Sequence, residues 1–109
     1  TRREETIPMI LKPGARLRSQ ADSTEVVVVK APSGDVDVRC GGHPMVPSAE
    51  TGGGRSIEPG FDGGTLVGKR YADDEVGIEL LCTKAGGGAL SLGVDPLPVK
   101  GAKPLPSSD

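Results

Sequence analysis

Short apolar runs separated by turn residues make up most of this sequence. The strongest run is EVVVVK at positions 25–30, in which four β-branched residues stand between two charged ones, a composition typical of a β-strand. The turn residues PSGD follow at 32–35, and the alternating run VDVRC follows at 36–40. Alternation of apolar and polar residues predicts a half-buried strand. The two runs together therefore predict a β-hairpin.

A similar arrangement returns in the second half of the chain. The run IELLCTK at 78–84 predicts a strand, GGG at 86–88 predicts a turn, and ALSL at 89–92 predicts the answering strand. An offset of 54 residues aligns identical residues: Gly14 with Gly68, Arg16 with Arg70, Glu25 with Glu79, Lys30 with Lys84, Ala31 with Ala85 and Gly34 with Gly88. After a two-residue adjustment, Gly41 meets Gly93 and Pro44 meets Pro96. Because two hairpins can bury an apolar face that one cannot, we predict a tandem duplication.

These patterns predict an all-β fold in which two tandem short β-hairpin units pack as one small pseudo-symmetric domain. Unit 1 covers residues 14–47 and unit 2 covers residues 65–98, with a Gly/Pro-rich linker at 48–64. An extended N-terminal arm is predicted at 1–13, where Pro8 and Pro13 disfavour a helix. An extended tail is predicted at 99–109, which contains two further prolines.

Composition narrows the classes of function. The 109 residues carry a net charge of −2, and only 2% of them are aromatic. Because no Lys/Arg run exceeds two residues and aromatic side chains for base stacking are nearly absent, we expect no nucleic-acid binding. The longest uninterrupted apolar stretch, at 26–29, is far too short to span a bilayer, so we expect no membrane insertion. The charged first residues predict no signal peptide, and two cysteines do not make a disulfide-rich scaffold; a cytoplasmic location is expected.

The segment from residue 25 to residue 45 resembles the desulforedoxin family, which also forms the N-terminal domain of desulfoferrodoxins. That family shows Cys-x-x-Cys-Gly, a Val-rich strand, a Gly-rich turn and then Cys-Cys-Gly-x-Pro-Met. The matching parts of this chain are VVVV at 26–29, a Gly-containing turn, and VRCGGHPM at 38–45. In the family, four thiolates hold a tetrahedral iron or zinc and two chains form a dimer. The resemblance covers about residues 17–45 and 71–97, and it implies that the second copy replaces the partner subunit.

The resemblance also assigns the ligand positions residue by residue. Cys40 falls on the first cysteine of the Cys-Cys pair, Gly41 replaces the second, and Ser19 and Asp22 occupy the Cys-x-x-Cys positions. Gly42, Pro44 and Met45 match outright. In the second copy the ligand positions hold Asp73, Val76, Leu92 and Gly93, and Cys82 falls at none of them. The resemblance thus implies a fold that has outlived its metal, with apolar packing between the copies in its place.

Candidate chemistry is sparse. Cys40 and His43 have a Cys-x-x-His spacing that could supply two ligands to Zn or Fe, with Asp22 as a third ligand and Cys82 as a fourth. In the alternative interpretation Cys40 is a small buried hydrophobe and His43 a turn residue. We expect the alternative, and so no metal and no cofactor. A Cys40–Cys82 disulfide is a further option, against two buried free thiols.

No catalytic grouping is visible. The carboxylates at 73–75 form a run that predicts a solvated turn, since nothing nearby would separate their pKa values as acid–base chemistry requires. The chain has a single His, so no Ser-His-Asp arrangement can be argued. We therefore expect no enzymatic activity from this chain alone.

The function predicted is a non-catalytic small β interaction module, either an accessory subunit of a larger enzyme or a homodimer, that binds through sheet edges and extended arms. The partner-binding candidates in the arm are Ile7, Met9, Ile10 and Leu11. The alternative is a degenerate desulforedoxin-like metal or redox protein that uses Cys40 and His43. A third hypothesis is an anionic small ligand held in a cleft between the repeats by four repeat-matched cations, Arg16, Arg70, Lys30 and Lys84.

Overall fold

The computed structural model describes residues 9–48 and 54–100, which contain eleven β-strands and no helix. The prediction of an all-β fold is confirmed. The strands are β1 (Met9–Ile10), β2 (Arg16–Arg18), β3 (Glu25–Lys30), β4 (Asp35–Val36), β5 (Val38–Cys40), β6 (His43–Pro44), β7 (Val46–Pro47), β8 (Arg70–Asp73), β9 (Ile78–Lys84), β10 (Leu90–Leu92) and β11 (Asp95–Pro96).

The strands form two main antiparallel sheets and one small sheet. The five-stranded sheet has the order β7-β2-β3-β9-β8, the four-stranded sheet has the order β11-β10-β5-β6, and β1 pairs with β4. Each main sheet therefore has one strand pair at its centre that joins the two halves of the chain, β3 with β9 and β5 with β10.

The predicted partners within each hairpin are wrong, although the strands themselves lie close to where the sequence predicted them. β3 and β5 lie in different sheets, and so do β9 and β10. The hairpins that form are β2 with β3, β5 with β6, β8 with β9, and β10 with β11. The physical reason is burial: strands in separate sheets can direct their apolar faces into one core, which a two-stranded hairpin cannot do alone.

The core lies between these sheets and takes side chains from both halves. Its members from β3, β5, β9 and β10 are at most 3% exposed: Val26, Val28, Val38, Cys40, Ile78, Leu80, Cys82 and Leu90. Leu17, Met45 and Tyr71 complete its centre. Apolar side chains of the second half of the chain, residues 65–98, therefore pack in the same core as those of the first half, residues 14–47.

Contacts between the halves follow the offsets found in the sequence. Val27 lies opposite Leu81, which is 54 positions further on, and Arg39 lies opposite Ser91, which is 52 positions further on. Backbone hydrogen bonds also recur at the same offsets. Gly14 N–H donates to Val28 O (2.7 Å) as Gly68 N–H donates to Cys82 O (2.8 Å), and Met45 N–H donates to Val38 O (2.9 Å) as Leu97 N–H donates to Leu90 O (3.0 Å). Ser48 N–H to Arg16 O (2.9 Å) likewise matches Lys100 N–H to Arg70 O (2.6 Å).

The predicted linker does more than connect. Residues 54–61, which we term the strap, contain no strand but bind both halves: Glu58 N–H donates to Gly41 O (2.9 Å) and Ala89 N–H donates to Phe61 O (2.8 Å). The strap lies so close to the β5–β6 turn that a Cβ on Gly42 would stand 2.7 Å from Glu58 Cγ. Gly42 also has a φ of +88°, so glycine is required there for both conformation and approach.

The arm and the tail are described only in part. β1 pairs with β4, and Leu11 is buried in the chain's own core, whereas Ile7 lies outside the described residues. At the other end Val99 pairs with Tyr71 in an isolated bridge, so residues 98–100 run beside β8. The predicted tail from residue 101 onward lies outside the described residues.

Candidate functional site

Three of the positions that the resemblance assigns to metal ligands lie together. Ser19 follows β2, Asp22 lies in the turn between β2 and β3, and Cys40 ends β5. Ser19 Oγ accepts hydrogen bonds from the backbone N–H groups of Ala21 (3.0 Å) and Asp22 (3.2 Å), which shapes the turn. The Cys40 thiol donates to Asp22 Oδ1 at 3.6 Å. A compact polar cluster thus occupies this end of the core.

The carboxylate of Asp22 connects this cluster to the second half of the chain. Its Oδ2 accepts hydrogen bonds from Gly88 N–H (2.6 Å) and from the hydroxyl of the fully buried Thr24 (2.7 Å). Thr24 Oγ1 is 3.0 Å from Thr65 Oγ1, which in turn accepts from Gly86 N–H (3.1 Å). Because the Thr24 hydroxyl donates its one proton to Asp22, it accepts from Thr65. The chain of hydrogen bonds therefore leads from Gly86 N–H through the Thr65 and Thr24 hydroxyls to the Asp22 carboxylate.

The charge state of Asp22 follows from these contacts. Burial acts to raise its pKa, but hydrogen bonds from Ser19, Gly88 N–H, Thr24 and Cys40 together outweigh burial and hold the pKa below its ordinary value of 3.8. Donors that favour the ionised form lower the pKa of a carboxyl group. Asp22 is therefore an anion at neutral pH, held by donors from both halves.

Cys40 has the opposite character. Burial raises the pKa of its thiol to about 12, and the nearby negative charge of Asp22 acts in the same direction. The thiolate is the form that attacks electrophiles and binds metal. At neutral pH Cys40 is therefore a protonated hydrogen-bond donor and an unreactive core residue.

The other two metal-ligand candidates point elsewhere. His43 Nε2 lies 2.9 Å from Ser56 O and 3.1 Å from Glu58 Oε2, so His43 binds the strap. Cys82 lies in the core on β9, and its thiol donates to Lys84 O at 3.3 Å. Among the residues that the structure describes, no three His, Cys, Asp or Glu side chains are grouped to hold a metal ion. Of the four candidates, the structure brings Asp22 and Cys40 together, and both cysteines are buried free thiols.

Sequence reasoning missed the residues that complete this cluster: Thr24, Thr65, Gly86 and Gly88. A Cβ on Gly88 would stand 2.9 Å from Gly41 N, and one on Gly86 would overlap Asp22 Oδ2. The glycine run was predicted only as a hairpin turn, but it allows the second half to approach the Asp22 turn closely. One signal was present in the sequence: the second half has three glycines at 86–88, whereas the matched turn of the first half has one, Gly34. Gly34 has open space around it, so the extra glycines mark the half in which the close approach occurs.

Asp73 ends β8, and Asp74 and Glu75 lie in the turn that follows it. Asp73 Oδ1 accepts hydrogen bonds from Glu75 N–H (2.9 Å) and Val76 N–H (3.2 Å), as Ser19 Oγ does at the matched turn of the first half. The side chains of Asp74 and Glu75 are exposed. Asp73 therefore shapes the turn.

The repeat-matched arginines lie on the five-stranded sheet. Arg16 in β2 and Arg70 in β8 are both exposed. Arg70 Nη1 lies 3.3 Å from Glu79 Oε2, and Lys100 Nζ donates to Glu79 Oε1 at 2.7 Å. This hydrogen bond from Lys100 is the main cause that lowers the pKa of Glu79, whose side chain is only 3% exposed. Glu79 is thus an anion covered by two cations.

No protein-family model, curated protein or solved structure matches this chain. Within residues 9–48 and 54–100 there is no helix whose length and hydropathy would let it cross a membrane. Function is therefore inferred from the geometry of the chain itself.

Proposed function

We propose that this chain is a non-catalytic β module of the cytoplasm that binds another protein, as an accessory subunit of a larger enzyme. The observation that carries the proposal is the composition of β3, a central strand of the five-stranded sheet. β3 directs Val26 and Val28 into the core, yet its outward positions also hold valines, Val27 and Val29. Continuous apolar strands are typical of sheets covered on both faces, whereas a solvated face carries alternating polar residues.

The absence of catalysis is supported by how the reactive side chains are used. The Asp22 carboxylate is occupied by donors from both halves, and the Cys40 thiol is protonated and fully buried. His43 holds the strap. Each of these groups stabilises the fold, and none is presented to a substrate.

We also propose that the two halves descend from one duplicated unit. Support comes from the equal offsets at which strand partners and backbone bonds recur, such as Val27 opposite Leu81 and Arg39 opposite Ser91. A two-fold relation requires that when one residue meets the counterpart of a second, the second meets the counterpart of the first. Val26 opposite Cys82 and Val28 opposite Leu80 satisfy this requirement. In this proposal, contacts that the desulforedoxin-like family makes between two chains are made within one.

The interaction proposal is tested by affinity capture of the tagged full chain from its native cells, followed by size-exclusion chromatography with light scattering. We expect one defined protein to co-elute with the chain at a fixed stoichiometry. A chain that stays monomeric and co-elutes with no other protein at micromolar concentration would contradict the proposal.

A second candidate function is a degenerate metal or redox site. The observation in its favour is that Ser19, Asp22 and Cys40 lie together, with 3.6 Å between the Cys40 sulfur and Asp22 Oδ1. Elemental analysis and a visible absorption scan of gently purified protein test it. Zn or Fe near one atom per chain would support this candidate, and less than about 0.1 atom per chain would remove it.

A further inference from the structure

The outer face of the five-stranded sheet has a row of four residues in register. Arg16 lies opposite Val27, Val27 opposite Leu81, and Leu81 opposite Arg70. Residues directly opposite each other on neighbouring antiparallel strands point to the same face of the sheet. The row therefore crosses the sheet with two aliphatic side chains at its centre and one arginine at each end.

The aliphatic centre of this row lies outside the core. Val27, Val29 and Leu81 are half-buried and do not belong to the core cluster, whereas Val26, Val28 and Leu80, which point the other way, are at most 1% exposed. Val46 on β7 points to the same outer face and extends the apolar area, whereas Ala72 on β8 points there but is buried within the chain. β3 thus has a second apolar face, which the core does not use, and β9 adds Leu81 to it between the polar residues Glu79 and Thr83.

On the face itself cations outnumber carboxylates, on a chain whose net charge is −2. The strand register places six cations on or beside the face: Arg16, Arg18, Lys30, Arg70, Lys84 and Lys100. The carboxylates on the face are Glu25, opposite Arg18 and Lys84, and Glu79, which Arg70 and Lys100 already cover. Beside the face, at the β8 edge, the carboxylates at 73–75 line a pocket together with Ala72 and Lys100. Across the described residues Arg16 is exposed and has no ion-pair partner. The face therefore attracts anionic groups.

The edges of the two main sheets are poorly suited to binding a partner protein. The outer strands β6, β7 and β11 are two residues long, and each contains a proline: Pro44, Pro47 and Pro96. Beside β8 the outer segment begins with Pro98. Proline cannot donate a backbone hydrogen bond, and short proline-containing edges prevent the addition of a foreign strand. A partner is better accommodated on the outer face than on the edges that the sequence suggested.

We propose, resting on the proposed function above, that the outer face centred on Val27 and Leu81 binds an element of a partner protein that presents aliphatic side chains flanked by carboxylates. Arg16 and Arg70 are three strand spacings apart, roughly 14 Å. One α-helix, about 10–12 Å across with its side chains, fits between them. A second copy of the same face is disfavoured, because it would place further cations against these arginines.

The test uses two synthetic helical peptides as probes and the full chain as target. Both peptides carry leucines along one face; in one the flanking positions are glutamates, and in the other they are lysines. Each is titrated into the ¹⁵N-labelled chain and followed by amide NMR. We expect the glutamate peptide alone to shift amides of β3 and β9, and we expect Arg16→Glu to weaken it about tenfold. Lys12→Glu, an exposed change of equal charge on the loop before β2, is the matched control and should change the affinity little.

Several results would overturn the docking face. They are no amide shifts with the glutamate peptide at about 1 mM, shifts mapped to another surface, or equal binding of the lysine peptide. Val27→Asp, checked for folding by circular dichroism, should abolish binding; a folded Val27→Asp chain that binds normally would also contradict the face. A chain dimer that Val27→Asp dissociates would show that the occupant is a second copy.

The proposed function and this face can fail separately. The capture experiment is repeated with the Arg16→Glu chain beside the wild type. If both chains capture the same partner equally, the module function stands and the docking face is wrong. If the wild-type chain captures no protein while the glutamate peptide still binds the face, the proposed function as a protein-binding module is wrong. The preference of the face for aliphatic side chains flanked by carboxylates is then still supported.

Discussion

Replacing Asp22 with alanine removes the carboxylate that joins the turn after β2 to the glycine loop of the second half. Four donors lose their acceptor: the Ser19 hydroxyl, Gly88 N–H (2.6 Å), the Thr24 hydroxyl (2.7 Å) and the Cys40 thiol (3.6 Å). Thr24 and Cys40 are fully buried, so water cannot take the place of the carboxylate without opening the core. The substitution therefore leaves unsatisfied donors at the contact between the halves.

The cost follows from the number of donors. A buried donor left without its partner costs about 1–3 kcal/mol, and the thiol, a weak donor, contributes little. Because Asp22 itself is half-buried, we take the lower end of this range, about 1 kcal/mol, for each of the other three donors and expect a loss of about 3 kcal/mol. Domains are stable by about 5–15 kcal/mol, so the loss is a large share of the total.

Urea unfolding at neutral pH measures this loss. With a slope of about 1–3 kcal/mol per M, the midpoint should fall by about 1.5 M. Asp22→Asn keeps one acceptor oxygen for Gly88 and Thr24 and should lose less. Asp62→Ala, in the exposed segment after the strap, is the control and should stay within about 0.5 kcal/mol of the wild type.

The pH dependence of the same difference is a second measurement. Hydrogen bonds lower the pKa of Asp22 in the folded chain below 3.8. A group whose folded pKa is depressed contributes stability that is present above its unfolded pKa and is lost as pH falls through the folded pKa. The gap between wild type and Asp22→Ala should therefore be constant from about pH 7 to pH 5 and narrow below about pH 4. A gap under about 1 kcal/mol at pH 7, or one that does not narrow in acid, would refute the reasoning.

Three further outcomes are expected. Gly88→Ala should lower the urea midpoint clearly, because its Cβ would collide with backbone 2.9 Å away, whereas Gly34→Ala, at the matched position with open space, should leave it unchanged or raise it slightly; equal effects would contradict the close approach. Cys40, fully buried and with a pKa of about 12, should resist thiol reagents in the native chain at pH 8 and react at once in urea, as followed by mass spectrometry. Lys100→Met should raise the pKa of Glu79 toward 4.5, since its hydrogen bond is the main cause of the lowered pKa; carbon NMR of the carboxyl group reports this, and an unchanged pKa would contradict it.

The structure shows which valines of β3 lie in the core and which lie on the outer face of the sheet. The inward valines, Val26 and Val28, belong to a core shared by both halves, and the outward ones lie on a face bounded by Arg16 and Arg70. The same strand thus stabilises the fold on one side and offers an apolar surface on the other. The two roles predict different mutants: Val28→Ala should destabilise the chain by about 1–2 kcal/mol, while Val27→Thr should alter binding with little change in stability.

The sequence by itself determined the all-β class and the approximate positions of the main strands. The reason is local: runs such as EVVVVK at 25–30 and IELLCTK at 78–84 have β-branched or alternating compositions bounded by glycine, proline and charged residues. It did not predict β2 and β8, because Arg16–Arg18 and Arg70–Asp73 carry charged residues and pair through their backbones.

Only the tertiary structure decided which strands pair and what the polar residues do. Neighbouring runs in the sequence predict hairpins, but burial favours placing β3 and β5 in separate sheets, each beside its counterpart from the other half. The sequence offers Asp22 as a metal-ligand candidate, whereas in the structure its carboxylate accepts hydrogen bonds from Gly88 and Thr24, 66 and 2 positions away. Contacts between residues so far apart in sequence depend on how two sheets approach each other, which no local pattern encodes.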